Sequence, residues 1–375
     1  MEIRIETKEF IPCLAQVASV VMSKNTLPIL DCVLIDVNED GETKLSASDS
    51  EVWLSAKTKV LSCDQAMKFC VPANDFLKAL RGLGETEVSI VLDDKKKIID
   101  CNYGKGYFTL PYESAEDYPQ PTLSLEESKD FILDAANFGR AIERVDFAAA
   151  TNDALRPMMN GVNLELASHG MTAAATDAAI LARLCDFGVT HEEDATYSVT
   201  IHNKVVNLLK SLLAGIDGKV KIKFNNEAIC VNNQSFKLTA RLIEGKYPNY
   251  NAIIPKNYAS KALVNKDAIL SALKRVALMS DAKNGAISLH FTKGKVEISA
   301  EDLNFNRSAG EEVMCEYEGE DLTIGFGNSV LVSAIANSES EDVVMEFIDS
   351  THMAILHDGN RDEYLSLVMP ILIIE

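Results

Sequence analysis

The sequence predicts an α+β protein of three similar units, each combining antiparallel sheet with two amphipathic helices, the sheets outside and the helices on one shared face. Three observations lead there. The chain has 375 residues, which domains of roughly 100 to 150 residues would divide into about three. A helix-like segment followed by strand-like runs occurs three times at nearly constant spacing, and a fixed period of this kind defines an architecture. The second half of each unit repeats in the same way, with expected boundaries at 1–124, 125–257 and 258–375.

The elements follow in order. FIPCLAQVASVVMS, from Phe10, reads as a helix and precedes the strand-like LDCVLIDV and KLSASD. FGRAIERVDFAAA, from Phe138, precedes MNGVNLEL and TAAATD; ILSALKRVALMSD, from Ile269, precedes KNGAISLHF and VEISAED. Ala47, Ala175 and Ala300 take matching places, 128 and 125 residues apart. Next, VPANDFLKALRGL, VTIHNKVVNLLKSLL and IGFGNSVLVSAIA each set a short apolar strand before an Asn and an apolar-periodic helix. Asn74, Asn203 and Asn328, 129 and 125 apart, are expected to cap these helices by accepting a hydrogen bond from an unpaired backbone N–H. EVSIVLDD, KVKIKFNN and DVVMEFID then alternate as strands do.

Composition bounds the function. No apolar run approaches the ~20 residues that span a bilayer, and MEIRIETKEF has the alternation of a strand and not the profile of a signal peptide. The expected location is cytoplasmic. Eight cysteines without a C-x-x-C pair suit reduced core thiols, and neither metal nor cofactor is expected. A net charge of −20 argues against a simple basic DNA-binding domain, because phosphate affinity comes from Lys and Arg. The charge is segregated, however. The six helical segments (10–22, 74–83, 137–149, 203–214, 268–280 and 328–338) hold Lys78, Arg81, Arg140, Arg144, Lys204, Lys210, Lys274 and Arg275 against Asp75, Glu143 and Asp146, a net +5 beside −25 for the remainder. Arg140 and Arg144 are one turn apart and share a helix face. Positive helices on an anionic body would attract a polyanion to that surface and repel it elsewhere, holding phosphates without reading bases.

TLPIL (Thr26 to Leu30), RPMMNGVNLE (Arg156 to Glu165), ATDAAILA (Ala175 to Ala182), RLIEGKYPNY (Arg241 to Tyr250) and LVMP (Leu367 to Pro370) resemble, in order and spacing, segments of the bacterial beta sliding clamps, the beta subunits of DNA polymerase III. The resemblance spans the chain and implies three DNA-clamp domains per subunit, a head-to-tail homodimer and a ring whose helices line the hole. It implies sequence-independent binding of double-stranded DNA, with Lys24, Arg81 and Arg156 at DNA-facing positions. Where many relatives carry two tyrosines after that Arg, this chain has Pro157 and Met158, which offer no phenolic hydroxyls. The resemblance also implies an apolar cleft between the second and third domains that takes short extended motifs from the polymerase III catalytic subunit, the clamp loader, other polymerases and repair proteins. Its matching positions are Met159, Thr176, Ala178, Ala179, Ile180, Leu181, Pro248, Ala252, Ile253, Leu367, Val368, Met369, Pro370 and Ile371. Relatives commonly show Gly-His-Arg within the motif that reads Asp177-Ala178-Ala179-Ile180 here, and the tail runs on as Ile371 to Glu375, so a more apolar cleft is expected. For the subunit interface, Phe108 and Leu110 match one side and Leu278 and Met279 the other, with Lys105 facing Glu301 or Asp302.

Catalysis is not expected. The chain has no G-x-x-x-x-G-K-[ST], H-E-x-x-H or G-x-S-x-G. His352 lies near Asp349 and Ser350, but adjacency in sequence does not make a triad. Asp49, Asp177 and Asp302 recur at strand ends, as turn residues do. Two other readings stay open: a triplicated peptide-binding scaffold that never closes round DNA, and a metal-dependent phosphoester-processing enzyme bound to DNA.

Overall fold

Each of the six α-helices among the described residues starts where a strand ends. The computed structural model describes residues 1–22, 25, 27–121, 123–151, 154, 156–167, 170–186, 196–281 and 285–372. The helices are α1 (Thr7–Ala18), α2 (Ala73–Arg81), α3 (Ala135–Asp146), α4 (Asn203–Leu213), α5 (Lys266–Val276) and α6 (Asn328–Ala336). The strands Glu2–Glu6, Met67–Pro72, Lys129–Asp134, Tyr197–His202, Ser260–Asn265 and Leu322–Gly327 lead directly into them. This changes the role of the recurring asparagines. Asn328 is the first residue of α6 and Asn74 the second of α2, so both have passed the capping position, and neither helix has a side-chain cap. Asn203 opens α4 and donates from Nδ2 to the Ala150 carbonyl at 2.8 Å. Asn265 does cap a helix: its side chain accepts from the Ala268 N–H at 3.1 Å at the start of α5.

Two compact units form, residues 1–136 with 207–242 and residues 137–206 with 243–375. They cut across the three repeats because strand pairing does. In the first unit, Val52–Lys59 of the first repeat pairs antiparallel with Phe236–Arg241 of the second, joining nine strands in one sheet. In the second unit, Ile180–Asp186 of the second repeat pairs with Tyr364–Val368 of the third inside a twelve-stranded sheet. A five-stranded sheet completes the first unit and ends on Gly106–Pro111. Helices bury their apolar stripe: α1 buries Phe10, Leu14 and Val17, and Phe76 of α2 meets Phe10 edge to face at 6.2 Å. In the second unit, α5 buries Ile269, Ala272, Leu273 and Val276, and α6 buries Leu331, Ala334 and Ile335.

The recurring aspartates close turns. Asp49 Oδ1 accepts from the N–H groups of Glu51 and Val52 at 3.0 and 2.8 Å, Asp177 Oδ1 from Ala179 and Ile180 at 2.8 and 2.9 Å, and Asp302 Oδ1 from Asn304 and Phe305 at 3.1 and 3.3 Å. All eight cysteines are free thiols. Burial pushes Cys32 up to about 11 and Cys70 and Cys101 up to about 12, which keeps them protonated and unreactive.

A carboxylate network reassigns Arg144. Only 4% exposed, it reaches Asp358 at 2.7 Å and Glu339 at 3.0 Å, and its guanidinium lies 3.5 Å from the centroid of the Tyr364 ring. Arg140 joins from the next turn, with Glu339 at 2.6 Å and Glu363 at 3.1 Å. The two arginines thus share a face, as their spacing requires, but the face is turned to protein acids. Removing one partner of a buried ion pair leaves the others uncompensated, so Arg144→Ala should lower the unfolding free energy by about 3–5 kcal/mol. Urea denaturation reads this; an unchanged midpoint would contradict the network. The hydrogen bond from Arg140 holds the Glu339 carboxyl below its ordinary value of 4.5. The stabilisation from this pair is therefore complete above that value and is lost as pH falls through the lower folded-state value. Glu339→Gln should flatten the loss of stability below pH 4.5, and an acid limb identical to that of the parent would refute the assignment.

Candidate DNA, partner and subunit interfaces

The basic residues singled out in the sequence divide into three groups. Lys78 and Arg81 on α2 and Lys274 on α5 are exposed, as is Arg156 ahead of the short 3-10 turn Pro157–Met159. Lys204 and Lys210 on α4 are half-buried. Arg140 and Arg144 are engaged as described, and Arg275 Nε donates to Glu311 at 2.9 Å. Lys24 lies outside the described residues. Lys78, Arg81, Lys210, Lys274 and Arg275 fall in the last turns of their helices, where a cation also meets the negative end of the helix dipole. That position explains them structurally, yet leaves the exposed Lys78, Arg81 and Lys274 available to an anion.

Apolar residues gather around a turn in the second unit. Gly170–Thr176 and Ile180–Asp186 form a hairpin whose turn Asp177 closes, and Ala178 sits there at φ +78°, a left-handed conformation that disfavours a Cβ. Thr176 Oγ1 donates to the Ile180 carbonyl at 2.6 Å and accepts from the Ala178 N–H at 3.1 Å. The Thr176 N–H donates to Tyr247 Oη at 3.0 Å, fixing the segment Tyr247–Ile254 against the hairpin. Leu181, Tyr247, Tyr250, Ile355, Leu365 and Leu367 form the buried floor, with Met158 and Ile254 packed on it. Met158 is therefore a cleft residue, and it lies so close to Gly245 that a side chain there would meet its Sδ at 3.2 Å, inside ordinary van der Waals contact.

The fourteen expected cleft positions separate into floor and rim. Met159, Thr176, Ile180, Leu181, Leu367 and Val368 are buried. Ala178, Ala179, Pro248, Ala252, Ile253 and Met369 are exposed, and Pro370 and Ile371 are half-buried. Met369 donates to the Ala179 carbonyl at 2.9 Å and Ile371 to that of Gly325 at 2.8 Å, so main-chain bonds hold the tail beside the hairpin. Tyr247 and Tyr250 escaped the sequence reading. Their spacing after the RLIEGK strand end was the available signal.

Two strand edges bear on the expected subunit interface. Gly106–Pro111 has Ile98–Tyr103 on one side only. Residues 307–314 of Arg307–Glu318 pair with Lys295–Asp302 alone, since Ser260–Asn265 takes up only residues 315–318. Phe108 and Leu110 are half-buried beside the first edge. Near the second, Leu278 is 72% exposed, with exposed Met279, Leu303, Phe305 and Met314; the last three were missed by the sequence reading. Asp302 is buried with its carboxylate on turn amides, which leaves Glu301 as the exposed acid expected opposite Lys105.

Elsewhere, His352 Nδ1 lies 2.8 Å from Asp349 Oδ2 on the surface, beside a turn in which Asp349 accepts from the Thr351 N–H at 2.7 Å. No group of three His, Cys, Asp or Glu among the described residues could hold a metal ion. No helix there is long and apolar enough to cross a membrane.

Comparison with known proteins joins these features. Family models described as the N-terminal, central and C-terminal domains of the DNA polymerase III beta subunit match residues 1–124, 132–249 and 251–372. The chain is 29% identical over 374 residues to a beta sliding clamp of Pseudomonas putida and 26% identical over 372 residues to that of Escherichia coli, covering 99% of both chains in each case. It superposes on the crystal structure of the DNA polymerase III beta subunit from Pseudomonas aeruginosa with a TM-score of 0.92 at 27% identity, over 100% of each chain. Three domain matches in order, along a chain already divided into three repeats, place it within the DNA polymerase III beta subunit family, the beta sliding clamps.

Proposed function

We propose that this chain is a DNA sliding clamp, a non-catalytic processivity factor that closes round duplex DNA as a head-to-tail homodimer and tethers replication proteins through its apolar cleft. The carrying observation is the unfulfilled strand pair. Val52–Lys59 and Ile180–Asp186 occupy matching places in the first and second repeats, and each pairs with the last strand of the following repeat. The matching strand of the third repeat, Arg307–Glu318, pairs with no last strand of another repeat among the described residues, and Gly106–Pro111, the last strand of the first, pairs there with Ile98–Tyr103 alone. The same pairing made between two copies would satisfy both edges, which otherwise invite aggregation. Leu278 and Met279 would meet Phe108 and Leu110 there, and apolar burial would dominate because exposed ion pairs contribute only about 0–1 kcal/mol each.

DNA would be held by phosphate contacts from Lys24, Lys78, Arg81, Arg156, Lys204, Lys210 and Lys274, without base readout. Few contacts on an anionic body permit sliding, whereas a dense basic patch would hold tightly with steep salt dependence. Arg140, Arg144 and Arg275 serve mainly to pair protein acids. The cleft suits an extended peptide with apolar side chains, and Met158, Met159 and Met369 can repack around different sequences. Polymerase III, the clamp loader and repair proteins are the partners this reading assigns, with ATP used by the loader.

Leu278→Lys should sediment as a 41.0 kDa monomer; an unchanged dimer would refute the interface. At the cleft, Ile253→Asp puts a carboxylate on an exposed rim position and should weaken an apolar pentapeptide by about tenfold or more in calorimetry, roughly 1.4 kcal/mol, while leaving the dimer intact. Equal affinity in parent and variant would remove Ile253 from the cleft.

A further inference from the structure

The first unit contains a counterpart of the cleft. A pocket of about 160 Å³ is lined by Leu34, Trp53, Tyr118, Pro119 and Pro121, and the repeat explains its construction. Trp53 corresponds to Leu181, Tyr118-Pro119 to Tyr247-Pro248, and Thr239 to Leu367, each 128 or 129 residues apart. The strand registers agree: Trp53 faces Thr239 across one repeat junction as Leu181 faces Leu367 across the other. The strap tyrosine recurs as well, with a different partner. The Tyr118 hydroxyl donates to the Cys32 carbonyl at 3.5 Å, where that of Tyr247 accepts from the Thr176 N–H at 3.0 Å, and Asp49 closes the adjoining turn as Asp177 does. Hairpin, tyrosine-anchored strap and neighbouring strand are thus built twice.

The two copies differ in charge. Lys44 and Lys237 line the pocket in the first unit, both exposed and neither ion-paired among the described residues. Its volume suits one large apolar side chain, being smaller than the several hundred Å³ of sites that enclose a whole small ligand. Two unpaired lysines beside an apolar pocket favour acidic groups flanking that side chain.

We propose that this pocket is a second peptide-docking site, taking an extended segment in which an apolar or aromatic residue is flanked by Asp or Glu. The proposal rests on the peptide-binding reading of the first cleft. It differs in ligand, since the first cleft is apolar and this one is basic.

Trp53 is the only tryptophan in the chain, so its emission reports this pocket alone. The probe is acetyl-Asp-Leu-Asp-Phe-amide, titrated into the full-length protein. A saturable change in Trp53 emission is expected, weakened about tenfold or more in Lys44→Glu/Lys237→Glu and unaffected by Ile253→Asp. Both lysines are exposed, so the double variant should fold normally. Emission that stays constant up to millimolar probe, or an equal titration in the double variant, would overturn the second site. An emission change abolished by Ile253→Asp would overturn it too, by assigning the binding to the first cleft. Failure of the first cleft reads out separately, as equal calorimetric affinity of parent and Ile253→Asp for the apolar pentapeptide.

Discussion

Antiparallel pairing between the edge strands of successive repeats is the constraint from which the rest of this molecule follows. Val52–Lys59 with Phe236–Arg241 and Ile180–Asp186 with Tyr364–Val368 satisfy backbone groups that would otherwise face solvent at a sheet edge. These pairings merge the sheets of neighbouring repeats, which is why the compact units cut across the sequence repeat. They also create the two places where a strap crosses a hairpin, one floored by Leu181 and Leu367 and the other by Trp53 and Thr239. The proposed self-association draws on the same rule, because among the described residues three matching strands and two intramolecular pairings leave one such pair of edges.

Much of the architecture was legible because the repeat is a property of sequence. Ala47 and Ala175, like Asp49 and Asp177, mark the same hairpin in two copies, and the alternating runs became strands as the period-2 pattern requires. The capping of three helices by Asn was misread for a local reason. A strand that feeds straight into a helix carries the Asn past the capping position, and propensity alone does not resolve one residue of phase.

The charge pattern was legible in sum but not in detail. Helices carry net positive charge in an acidic chain, yet whether a given cation faces solvent or a carboxylate depends on residues distant in sequence. Arg144 meets Asp358 and Glu339, each about two hundred positions away, and no local pattern announces that. The cleft shows the same division. Its rim could be named from motifs, whereas Tyr247, which anchors the strap through the Thr176 amide, became meaningful only once the strap lay beside the hairpin.

The central claim is topological, and it is tested most directly by loading the protein onto nicked circular DNA with its cognate loader and ATP, then washing at high salt and comparing the same DNA after linearisation. Salt screens phosphate contacts, so a closed clamp is expected to stay on the circles and to leave from linear ends. Equal, salt-sensitive loss from both would contradict closure and leave a three-repeat scaffold that binds DNA only by charge.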